Sequence, residues 1–170
     1  MSMTHYMELL AVNQPWNLIL FMAIPVVLAE TVAVSELYLL YTRNYQGPVR
    51  AINRAAGLLV GIYFVGVFVY LLQGAVVPLS QTGGWRGWID MIAVGFYLLG
   101  VVPLGSIALL ELGVLGRGQD EHRKMLTHAL MVGLFLVVAH VAMIFGMLDP
   151  SLGGYQTTVP VAGHDMHGSH

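Results

Sequence analysis

The chain contains no cysteine among its 170 residues. Disulfides, thiolate metal sites and cysteine nucleophiles are therefore excluded. Charge is scarce as well: Asp, Glu, Lys and Arg make up 9% of the chain, where a soluble domain carries about 25%. No basic patch is present to engage nucleic acid. There is also no H-E-x-x-H, Walker loop, G-x-S-x-G or dinucleotide fingerprint, so no hydrolase or nucleotide chemistry of the soluble type is expected. An enzyme is the less favoured expectation.

What fills the chain instead is apolar: 57% of it is hydrophobic and the mean hydropathy is +0.74. Four apolar segments, roughly 16–42, 52–78, 86–115 and 123–148, each exceed the roughly 20 residues that cross a hydrocarbon core. Membrane β-strands would alternate over about ten residues, which is not the pattern here. The segments predict an all-α integral membrane protein, a four-helix up-down-up-down bundle over residues 1–150. The first segment is too long for a secretion signal and has no Lys or Arg before Arg43, so it is expected to remain in the mature protein.

Basic residues are unevenly placed. Arg43, Arg50 and Arg54 fall in the first connection and Arg117, Arg123 and Lys124 in the third, with Arg86 alone elsewhere. The positive-inside bias then makes those two connections cytoplasmic and puts both termini outside a bacterial-type inner membrane. Trp16, Trp85 and Trp88 fall at the outer boundary, where amphipathic rings settle. Gly57 and Gly61 have the small-xxx-small spacing of close helix packing, and Gly95, Gly100 and Gly105 are expected to thin the third helix. Pro25 and Pro103 predict kinks in the first and third helices.

Ionisable groups inside such segments are costly and are functional hypotheses by default. Counted at about 1.5 Å per residue from the basic markers, Glu36, Glu111 and His128 lie about 6–10 Å deep and form an inner layer near enough to the boundary to reach water. Glu30 and His140 lie about 19 and 24 Å deep, with Tyr70 near the same level. Carboxylate and imidazole in two layers suit a proton or ion path through Glu30, Glu36, Glu111 and His128. They equally suit pairs that only set helix register. Asp90, near the outer surface, is explained by an interfacial ion pair with Arg86.

His140, Met143 and Met147 fall near 0°, 300° and 340° of one helical face at about 100° per residue. Imidazole with thioether is a soft ligand set suited to monovalent copper, although methionine at this spacing also serves as core filler. Residues 151–170 form a polar tail, expected to be flexible and extracytoplasmic, in which His164, Met166, His167 and His170 could capture a transition metal. A haem b held between His128 and His140 is disfavoured because the two are about 120° apart on one helix, whereas His140 paired with a methionine stays open. Segment count and His/Met content are broadly similar to the small four-helix membrane proteins of bacterial copper handling and of b-type cytochromes. No family motif matches residue by residue, so no site is carried over.

Three functions follow as expectations. The first is binding or transport of a transition metal, copper foremost, at an outward His/Met site. The second is a membrane subunit of an electron-transfer complex in which His140, His128 and Tyr70 hold haem or quinone and the glutamates relay protons. The third is a structural or assembly subunit. The expected partners are the lipid bilayer, a metal ion, and a homo-oligomer or larger membrane complex.

Overall fold

A computed structural model describes residues 3–155. It is helical, with no strand among the described residues. A short helix, α1 (His5–Ala11), precedes four helices long and apolar enough to cross a membrane: α2 (Trp16–Thr42), α3 (Pro48–Thr82), α4 (Trp88–Glu111) and α5 (Glu121–Met147). The four spans overlap the segments expected from hydropathy, with the ends moved by local chemistry. At the start of α5 the Asp120 carboxylate accepts from Arg123 N–H at 2.8 Å, satisfying one of the orphan donors of a helix N-terminus. After Glu111, Gly113 and Gly116 take φ of 72° and 71°, a conformation that glycine adopts without steric penalty. The third segment therefore ends at 111 rather than 115.

Prolines bend the helices without ending them. Pro25 and Pro78 each follow a π-helical turn, Ile19–Ala23 and Leu72–Val76. A proline has no N–H and its ring crowds the carbonyl four residues back. The residue before it answers by reaching one residue further: Ile24 N–H bonds Ile19 O and Val77 N–H bonds Leu72 O. By this means α3 runs through Pro78 to Thr82, past the boundary expected at 78. Ahead of Pro103, α4 is interrupted at Gly100, where a β-carbon would meet Phe64 and Phe135 rings at 3.2 Å.

The first half of α4 packs on α5 and its second half on α3, while α2 lies against both α3 and α5. Among apolar lipid tails the hydrophobic effect does not hold helices together, so close packing must. A β-carbon on Gly61 would come 2.4 Å from Ala108 Cβ and 2.7 Å from Leu104 O, and one on Gly57 3.0 Å from Ile107. These two glycines let α3 and α4 touch. Gly95 and Gly105 do not share that role, for nothing lies within 4 Å of where their β-carbons would be. The centre is filled by Phe64, Tyr97, Phe135, Val60 and Leu104, all buried, whereas Val34, Leu37, Ile62 and Leu130 are exposed on the outside. An apolar exterior of this kind suits lipid.

Helix α1 was not anticipated from hydropathy. Thr4 caps it, accepting from Met7 N–H at 3.3 Å, and donates to Gly146 O at 2.7 Å. Its Tyr6 is buried on Gly146 and on the Tyr97 ring, 5.2 Å between centroids.

Candidate functional site

Two polar assemblies and one cavity carry nearly all the chemistry. The first assembly lies where the ends of α4 and the starts of α3 and α5 meet. Glu111, the last residue of α4, has a wholly buried side chain. Arg50 Nη1 donates to its Oε1 at 2.7 Å and Arg50 Nη2 to its Oε2 at 3.0 Å, and Lys124 Nζ donates to Oε2 at 3.0 Å. Arg54 stands 3.9 Å away. Such a forked, charge-assisted pair is among the stronger hydrogen bonds available to a carboxylate. An open basin of about 540 Å³, lined by Tyr45, Arg50, Arg54, Glu111, Glu121 and Lys124, leads to it.

Behind Glu111 lies His128 of α5. Its Nδ1 is 3.0 Å from Glu36 Oε1 and its Nε2 is 3.4 Å from Glu111 Oε1. Asn53 Nδ2 donates to Ser35 Oγ at 2.9 Å and Val32 O at 3.3 Å, tying α3 to α2, and Arg50 Nη1 donates to Asn53 Oδ1 at 3.2 Å. The inner layer of Glu36, Glu111 and His128 is thus assembled. While Glu111 borders the open basin, His128 and Glu36 do not reach water as their depth suggested, at 0% and 1% exposed. Helix packing, which depth alone does not encode, seals them. Among the described residues, Glu36 Oε2 and His128 Nε2 have no hydrogen-bond partner.

The cavity lies between α2 and α5 and measures about 280 Å³. Tyr6, Phe21, Phe64, Tyr97 and Phe135 contribute ring faces or edges to its wall. Its lining includes the polar residues Glu30, His140, Tyr6 and Tyr97, of which the Tyr97 hydroxyl donates to Phe21 O, and its sulfur comes from Met22 and Met143. Glu30 and His140 thus line one cavity, and both are exposed at the outer surface of the bundle rather than buried. His140 Nδ1 lies 2.6 Å from Leu136 O. A carbonyl can only accept, so Nδ1 carries a proton, and in the neutral ring Nε2 keeps its lone pair.

Other sequence candidates fall outside this cavity. Met147 is 64% exposed and away from the wall, so the expected His140/Met143/Met147 face is divided and Met22 of α2 stands opposite instead. Tyr70 is exposed and stacks on Phe21 at 5.8 Å, backing the wall without lining it. His128 belongs to the other assembly, between Glu36 and Glu111. His164, Met166, His167 and His170 lie outside the described residues. Among the described residues no group of three or more His, Asp or Glu could hold a metal ion.

The second polar assembly is at the far end. Asp90 is 0% exposed. It accepts from His5 N–H at 2.6 Å, lies 2.5 Å from His5 Nδ1, and accepts from Arg86 N–H at 3.2 Å. The interfacial Arg86–Asp90 ion pair expected from proximity is replaced, because the Arg86 side chain turns to Glu8 at 2.7 Å and to Met3 O. These bonds fasten α1 so that Tyr6 closes one end of the cavity. Burial pushes the Tyr6 phenol above its ordinary pKa and keeps it neutral.

A family model described as a family of unknown function, DUF6803, matches residues 1–161. The chain belongs to DUF6803. No curated protein and no solved structure matches it. The DUF6803 match takes in α1 and all four long helices, hence the cavity and both polar assemblies. Sequence reasoning missed His5, Met22, Arg50, Asn53 and Lys124 as site residues. Arg50 and Lys124 were visible as cations near the inner layer but were read only as markers of membrane side. Met22 and His5 carried no signal, since only folding brings them opposite Met143 and Asp90.

Proposed function

We propose that this is a multi-pass protein of a bacterial-type inner membrane, up-down-up-down with both termini outside, that binds a lipophilic hydroxy-aromatic molecule of the quinol class between α2 and α5. The carrying observation is the cavity: about 280 Å³, walled by aromatic rings, with Glu30 and His140 among its polar residues. That is much more space than one ion requires and approaches the roughly 300 Å³ at which small-molecule pockets begin. His140 Nε2 is an acceptor by elimination, and an ionised Glu30 accepts only. Two acceptors in an apolar recess call for a ligand with hydroxyl donors on an aromatic head. Exposure of this seam on the outer surface of the bundle allows entry from the lipid. This reading follows the electron-transfer expectation, with quinol in place of haem.

Titration of the purified chain in detergent with a short-chain quinol tests it. Saturable binding is expected, and His140→Ala, which removes one hydrogen bond worth about 0.5–1.5 kcal/mol, should weaken it about 2- to 10-fold. Equal binding to wild type and His140→Ala would remove the proposal.

One observation favours a second reading. His140, Met143, Met22 and Glu30 share one wall, a mixed imidazole, thioether and carboxylate set whose sulfurs suit monovalent copper. Capture by the tail residues His164, Met166, His167 and His170 would complete a metal-handling protein. Elemental analysis of protein purified without chelator separates the two. Stoichiometric copper lost in both His140→Ala and Met143→Leu favours metal over quinol.

A further inference from the structure

The buried chain of Glu111, His128 and Glu36 is unused by the cavity reading and has an electrostatic oddity. Glu111 is fully compensated by Arg50 and Lys124, yet the imidazole behind it has an orphan nitrogen pointed toward Glu111, and the carboxylate beyond has an orphan oxygen. Buried polar atoms are nearly always paired, and an exception in a native structure calls for an explanation. A pure register-setting device would be expected to satisfy itself. His128 Nε2 faces Glu111 Oε1 at 3.4 Å, so a proton placed between them would supply a bond that the neutral ring lacks.

We propose that Glu111, His128 and Glu36 form a reversible proton store that exchanges with the Arg50/Lys124 basin at one end and faces the α2–α5 seam at the other. The starting state has Glu111 and Glu36 as carboxylates and His128 neutral with its proton on Nδ1. A proton from basin water is taken by Glu111 Oε1 and crosses 3.4 Å to His128 Nε2, giving the imidazolium between two carboxylates. The Nδ1 proton then crosses 3.0 Å to Glu36 Oε1, leaving His128 neutral on Nε2 and Glu36 protonated. The store has gained one proton and one positive charge. The same hops in reverse return it.

The charged and titratable groups facing the store come from every long helix: Glu36 from α2, Arg50 and Arg54 from α3, Glu111 from α4, and Lys124 and Glu121 from α5. They sum to zero when His128 is neutral, and the added proton enters between the two carboxylates that flank the ring. Glu36 also lines a shallow recess with Val132, Gly133 and Leu136, and Leu136 in turn lines the Glu30/His140 cavity. The recess at Glu36 and that cavity thus share Leu136 as a lining residue along one seam. Use of the proton by a ligand there rests on the cavity reading, whereas the store itself does not.

The test is nitrogen NMR of the full chain, labelled with ¹⁵N-histidine and ¹³C-glutamate, in lipid nanodiscs. The His128 ring is recognised by its proximity to the Glu36 carboxyl carbon. Between about pH 5 and about pH 9, the range in which imidazoles change charge, the His128 ring proton is expected to move reversibly from Nδ1 to Nε2 as the store fills, although the ring is wholly buried. Glu36→Gln removes the carboxylate that receives the Nδ1 proton and should abolish this exchange, and Glu36→Asp should restore it. A sealed structural imidazole keeps one tautomer over that range. A wild-type His128 that stays in one tautomer throughout overturns the store without reference to any variant, and so does a tautomer exchange that survives in Glu36→Gln. Neither result bears on quinol binding, which is read separately at His140.

Discussion

Helices α2 and α5 bring a glutamate and a histidine together twice, and the two meetings differ in almost every respect. Glu36 and His128 are sealed, with Glu111, Arg50 and Lys124 arranged behind them. Glu30 and His140 are exposed, bordered by rings and thioethers, and His140 bonds only a carbonyl of its own helix. The same residue types thus serve two ends. Where a third helix supplies Arg50 and a fourth supplies Glu111, with Lys124 from α5 beside them, the pair becomes part of a closed electrostatic unit joining all the spans. Where neighbours supply only apolar surface, the pair is left with capacity to bind something else.

The largest expected effect breaks the closed unit. Glu111→Gln strands Arg50 and Lys124 beside a buried imidazole, and removing one partner of a buried ion network costs about 3–5 kcal/mol. Unfolding in mixed micelles should show a loss of that size, and a change below about 1 kcal/mol would mean that the cluster is solvated rather than sealed. Next comes the far end. Asp90→Asn weakens two bonds to His5, and at about 1–3 kcal/mol for hydrogen bonds to a buried charged group α1 should loosen. Amide exchange of α1 should rise while that of α2 to α5 is unchanged; equal protection in both forms would show that Tyr6 packing alone holds α1. The smallest effect sharpens the contrast from the open side. Glu30→Gln and His140→Ala should alter stability by no more than about 0.5 kcal/mol, as substitutions outside a packed network usually do. A large loss in either would make the cavity pair structural after all.

Much of this was legible before folding was considered. The segments were found because about 20 apolar residues in a row have few other uses, and Gly57 and Gly61 because close helix approach needs small residues at that spacing. Depth counting along the helices grouped Glu36 with His128 and Glu30 with His140 correctly, since rise per residue survives in a helix whatever it packs against. Rotation around the axis did not survive in the same way. Which flank of α5 meets α2 is a property of the pair of helices, and the π turn at Ile19–Ala23 sets where Met22 falls. For that reason the cavity lining takes His140 and Met143 but not Met147, Tyr70 backs the wall without lining it, and Met22 was overlooked. Asp90 was misread for a related reason: its neighbour in sequence, Arg86, was at hand, while its true partner His5 is 85 positions away.

What the sequence by itself determined is the solvent and the scaffold. Composition and run length commit the chain to helices in an apolar medium, because backbone groups there must bond within their own segment, and that constraint needs no knowledge of neighbours. Tertiary structure alone decided which ionisable groups are closed off and which are open. A carboxylate or imidazole takes its character from the charges and surfaces within a few ångströms of it, and those came here from four different helices.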